Sequence, residues 1–148
     1  MVITKIRINL RTTLESLNNT VYVFVFVAVK LLVAYLFSLL ALEFLHKPIM
    51  SGVLDYGNEV ERFVVVVLIA PVLETYFFQY LFFEYLSKYL KRIVIVFISA
   101  FVFSLFHIYN PVYILYSFVS GLLLSASYCY RPNAYPFLIT MVIHSLYN

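Results

Sequence analysis

The fold class this sequence predicts is an all-α membrane protein of about five transmembrane helices, and three observations predict it. Of 148 residues, 64% are hydrophobic and only 11% are charged, where a soluble domain carries about 25% charged residues. The mean hydropathy is +0.97, too high for the chain to cover itself with polar surface. Finally, the apolar residues fall into five runs, at about 20–45, 63–87, 93–109, 112–130 and 134–148. A helix needs roughly 20 residues to cross a hydrocarbon core of about 30 Å. Many residues in these runs are β-branched or aromatic and would suit strands in water. In lipid, each span must satisfy its own backbone hydrogen bonds, and that requirement selects helices.

The elements follow in order. Residues 1–19 carry Lys5, Arg7 and Arg11, with Ile3, Ile6, Leu10, Leu14 and Leu17 near helical spacing; they read as an amphipathic lead-in lying on the cytoplasmic face. Residues 20–62 hold the first span and a polar outer loop, HKPIMSGVLDYGNEVER. Residues 63–148 hold the remaining four spans, separated by the basic corner SKYLKR, the Asn110-Pro111 break and the RPN of residues 131–133. No repeat or linker divides them.

Charge sets the expected orientation. With the N-terminus inside, the inner face holds Lys5, Arg7, Arg11, Lys88, Lys91, Arg92 and Arg131, and the outer face only Lys47 and Arg62. That bias favours an N-in, C-out, multi-pass protein of the cell membrane. A net charge of +3, concentrated near helix ends, gives no nucleic-acid footprint. The single cysteine, Cys129, excludes an intrachain disulfide and a cysteine-based metal cluster. Lys30 is left over inside the first span, where it could snorkel from a tilted helix or pair with a carboxylate.

Three ionisable groups stand at similar depth in three different spans. Glu74 interrupts VLETYFFQY roughly 16 Å along its span from residue 63. His107 closes FSLFH, and His144 opens HSLYN. Ionisable residues this deep ordinarily face a bundle interior and mark a functional path or site. Phe103 and His107, like His144 and Asn148, are spaced i, i+4 and so share a helix face. The set is chemically sufficient for hydrolysis. A carboxylate and an imidazole can hold a water and take its proton, while a second imidazole and a carboxamide can donate to a developing oxyanion. Glu74, His107 and His144 could alternatively ligate zinc with one position open, although no HExxH is present.

These residues resemble the CPBP family of intramembrane proteases, also called the CAAX-processing or Abi family, whose motifs are EExxxR, FxxxH and HxxxN or HxxxD on successive helices. Phe103 to His107 completes the second motif, and His144 to Asn148 the third. The resemblance spans about residues 63–148 and extends to Gly121 in FVSGLLLSASY and to Pro136. It implies a four-helix catalytic core over residues 63–148. The first motif departs: ETYFFQ keeps Glu74 but sets Thr75 in place of the second glutamate and Gln79 in place of the arginine. By this resemblance Glu74 and His107 would activate water, and His144 and Asn148 would stabilise the oxyanion, with Thr75, Gln79 and Phe103 supporting them.

The expected function is therefore an intramembrane endopeptidase acting on a membrane-associated peptide or protein, with no cofactor and no nucleic-acid partner. The alternatives are a non-catalytic relative serving as an immunity or scaffold protein, and a small ion or proton conductor. The short N-terminal part and the small-residue face of Ser117, Ser120, Gly121, Ser125 and Ser127 leave room for a homodimer or a partner membrane protein.

Overall fold

The computed structural model describes residues 12–49, 57–130 and 135–148. Five helices follow in the expected order. They are α1 (Asn19–Leu45), α2 (Glu59–Leu86), α3 (Arg92–Leu105), α4 (Pro111–Cys129) and α5 (Pro136–Tyr147). Residues 12–16 add a short helical turn before α1. The rest of the lead-in, with Lys5, Arg7 and Arg11, lies outside the described residues, as do residues 50–56 of the outer loop and Arg131.

Local chemistry sets the helix ends. Asn18, Asn58 and Asn110 are N-caps whose side chains accept from the backbone N–H of Val21, Glu61 and Tyr113, each at 2.8 Å. Pro111 and Pro136 occupy the first helical position of α4 and α5, where the missing N–H costs nothing. The Asn110 amide also donates to the Ile49 carbonyl at 3.0 Å, fastening the start of α4 to the segment after α1.

The protein is an all-α membrane protein, but its five helices are not equal spans. α1, α2 and α4 are each long and apolar enough to cross a bilayer. α3 and α5, with 14 and 12 residues, rise only about 21 and 18 Å, so the expected spans 93–109 and 134–148 are shortened. α3 ends at Leu105 because residues 106–110 turn to reach the Asn110-Pro111 cap. The outward surface is apolar throughout α1, where Phe24, Leu32, Tyr35, Leu42 and Phe44 are all more than half exposed. Such a face suits lipid or another apolar surface and not water.

α2 departs from a plain helix in a way the hydropathy does not show. Val64–Ile69 and Thr75–Tyr80 are π-helical turns flanking Ala70–Glu74. Pro71 explains the first turn. It has no N–H to donate and would clash with the carbonyl four residues earlier; widening the turn relieves both problems. The N–H of Ala70 passes to Val65, five residues back. The Val66 carbonyl is thereby deprived of two donors: Ala70 is engaged elsewhere and Pro71 has none to give.

α3 and α4 pack most closely, and α1 lies against α4 and α5. The interior mixes apolar side chains with short polar ones. Tyr22, Phe26, Phe78, Phe103, Leu124, Ile139 and Ile143 form one core cluster. Ser99 donates to the Phe78 carbonyl and meets Ser125 at 2.7 Å, while Tyr22 donates to the Ser127 carbonyl at 3.0 Å. The small-residue face of α4 is buried inside the bundle and not offered to a partner.

Gly121 is the closest point of that packing. A Cβ there would lie 3.0 Å from Ala100 Cα and 3.2 Å from the Phe103 ring. Since backbone cannot swing aside as a side-chain tip can, Gly121→Ala should separate α3 from α4. The expected cost is about 1–3 kcal/mol, as for other overpacked cores. Thermal unfolding in detergent measures it, and an unchanged midpoint would contradict this account of the packing.

Candidate active site

Glu74, His107, His144 and Asn148 come from α2, the turn after α3, and α5, and they line one cavity of about 200 Å³ together with Val66, Tyr109 and Tyr147. All four residues expected to carry the chemistry are thus brought together. The Glu74 carboxylate oxygen Oε2 stands 3.5 Å from His144 Nε2 and 4.0 Å from His107 Nε2. Both separations exceed a good hydrogen bond, and the longer one, to His107, is the one at which a bridging water enters.

His107 does not share a helix face with Phe103 as the i, i+4 spacing predicts, because the helix has already ended. It reaches the same place by other means. Its N–H donates to Ser104, its Nδ1 lies 2.8 Å from the Phe103 carbonyl, and its ring packs on Phe103 with centroids 4.4 Å apart. That carbonyl can only accept, so Nδ1 carries the ring proton and Nε2 presents a lone pair toward Glu74. His144 is set the other way. Its Nε2 faces a carboxylate, which favours N–H there, and its buried Nδ1 has no hydrogen-bond partner. One imidazole accepts and the other donates.

Asn148 follows the last turn of α5, its backbone N–H bonded to His144. Its side-chain amide donates to the Val66 carbonyl at 2.9 Å, the acceptor that Pro71 and the π turn leave free. An acceptor at that position fixes which end of the carboxamide is nitrogen. One N–H is held by Val66, and the second remains available to the cavity. Hydropathy and motif spacing gave no sign of this anchor. Pro71 inside an apolar run was the one available signal.

The three supporting residues divide. Phe103 is 3% exposed and forms a platform, packing against His107 and, edge-on, against His144 and Phe78. Thr75 and Gln79 are completely buried, and Thr75 Oγ1 and both polar atoms of Gln79 lack hydrogen-bond partners. They contribute no direct bond to Glu74. Lys30 does not snorkel: it is 1% exposed, with its ammonium 4.0 Å from the centroid of the Tyr147 ring.

Residues 57–148 match the Rce1-like family, described as type II CAAX prenyl endopeptidase Rce1-like. The matched segment contains α2 to α5 and with them Glu74, Thr75, Gln79, Phe103, His107, His144 and Asn148, while Lys30 lies outside it. No curated protein and no solved structure matches the chain. The family match covers more than half of the chain and helices α2 to α5 of its apolar bundle: this chain belongs to the Rce1-like family of CAAX-type intramembrane proteases.

Proposed function

We propose that the chain is an intramembrane endopeptidase in which Glu74 and His107 activate water while His144 and Asn148 stabilise the oxyanion. The opposed settings of the two imidazoles carry this reading. A water between Glu74 and His107 meets two acceptors, the carboxylate and the His107 Nε2 lone pair. Both its hydrogens are engaged and its own lone pair is directed at a carbonyl. Glu74 takes the proton as the oxygen attacks. His144 Nε2–H and the free amide N–H of Asn148 are donors for the oxyanion, fixed before the reaction by Phe103 packing and by the Val66 carbonyl.

The substrate is a membrane-associated peptide or protein, and the family name points to prenylated C-terminal motifs. The test is cleavage by the purified protein, in detergent, of lipidated peptides ending in a CAAX sequence and of their unlipidated counterparts. Cleavage near the C-terminus supports the reading, and failure to cut either class defeats it.

We further propose that catalysis uses no bound zinc. A metal-bound histidine ordinarily anchors its second nitrogen to a partner, and His144 Nδ1 has none. Among the described residues, no three of His, Cys, Asp and Glu are grouped to hold a metal ion. Metal analysis of the active sample should find substoichiometric zinc. Stoichiometric zinc, with activity lost on its removal and regained on its return, would establish the opposite.

An N-in orientation in the cell membrane completes the proposal, supported by the Lys and Arg bias. In a Cys129→Ser background, Lys47→Cys should react with an impermeant thiol reagent in intact cells and Tyr89→Cys should not. The reverse pattern would turn the cavity, which lies toward the Asn110 end of the bundle, to the cytoplasmic side.

A further inference from the structure

Lys30 is the one Lys or Arg side chain buried in the bundle among the described residues. It lies on α1, outside the segment that matches the family. Its Nζ makes no hydrogen bond and sits over the Tyr147 ring, a wall of the cavity beside Asn148. Roughly 16 Å along α1, it is too deep to reach an interface, and a buried ammonium without a hydrogen bond is costly there. Packing alone would favour a methionine or leucine. The Tyr147 ring beneath this ammonium lines the same cavity as Glu74, His107 and His144. His107, His144, Tyr109, Tyr116 and Tyr147 are the titratable side chains that line this cavity with the Glu74 carboxylate.

We propose that Lys30 is the counter-charge of Glu74: α1, from outside the catalytic core, supplies the cation that balances the carboxylate and holds the Tyr147–Asn148 side of the cavity. The inference rests on Glu74 being the working carboxylate. Among the described residues of the core no Lys or Arg lines the cavity, and Gln79 stands where the resembled motif has arginine, with both its polar atoms unpartnered. Opposite charges that share one low-dielectric bundle stabilise each other even without direct contact. The ring of Tyr147 supplies the remaining partner through a cation–π contact. Lys30 is thus a positioning residue that does not touch substrate.

The test compares Lys30→Met, Lys30→Arg and the double variant Lys30→Met/Glu74→Gln by infrared spectroscopy and thermal unfolding in detergent. Without its counter-charge, Glu74 should take up a proton. The carbonyl stretch of a protonated carboxyl should appear at neutral pH in Lys30→Met and be absent from Lys30→Arg and from the double variant. A folded Lys30→Met protein with no new band, or a band that persists in the double variant, would overturn the proposal. If Lys30→Met fails to fold while the double variant folds, the charge coupling is supported. If both fail, the lysine is structural and the proposal falls. The band reports protonation and not cleavage, so the result is separate from whether the assigned substrate is correct.

Discussion

Glu74→Gln should abolish most turnover while leaving the bundle intact. The substitution is nearly isosteric, and the carboxylate makes no hydrogen bond that the fold depends on; its contacts are the two imidazoles at 3.5 and 4.0 Å. An amide cannot take the proton from water, so the expected loss is about 10² to 10⁴-fold in kcat, the range of general-base catalysis. KM should change little, because the deleted step comes after binding. The unfolding midpoint should fall, since the substitution leaves the buried Lys30 ammonium without its counter-charge. A Gln variant that cuts at the parental rate would show that Glu74 is not the general base. A variant that no longer folds would make Glu74 a structural partner of Lys30 before anything else.

The route from sequence to this site was uneven, and the reasons are physical. Helix order and number were readable because lipid forces apolar runs of the right length, and the Asn-Pro start of α4 is written in residue types. Motif spacing brought Glu74, His107, His144 and Asn148 to one cavity even though His107 lies beyond its helix. Here the sequence distance was right and the assumed conformation wrong: a turn closed by the Phe103 carbonyl returns the ring to the face an extra helical turn would have given. Hydropathy could not show the π turns of α2, because they change which carbonyl is bonded and not which side chain is apolar. Nor could it place Lys30, whose partner Tyr147 lies across the bundle. Side-chain chemistry was legible, whereas backbone groups recruited by the site were not.

That recruited backbone makes Asn148 the second large test. Asn148→Ala removes a donor from the cavity and should lower kcat about 10² to 10³-fold, the range for losing one oxyanion donor. Asn148→Asp should fare no better. Its carboxylate can only accept, so it would face the Val66 carbonyl as acceptor against acceptor and could not donate to an oxyanion. Pro71→Ala examines the same anchor from the other side. Restoring an N–H at position 71 offers the Val66 carbonyl a backbone donor that competes with Asn148 at its 2.9 Å bond. Removing proline from a helix interior, where it costs up to about 3 kcal/mol, should also raise the unfolding midpoint. The expected combination is a more stable and slower protein, with kcat falling and KM nearly constant, because an unanchored carboxamide must be ordered anew in each transition state. If Pro71→Ala gains stability and keeps full turnover, the bond to Val66 is incidental. If Asn148→Ala is also silent, His144 alone carries the oxyanion.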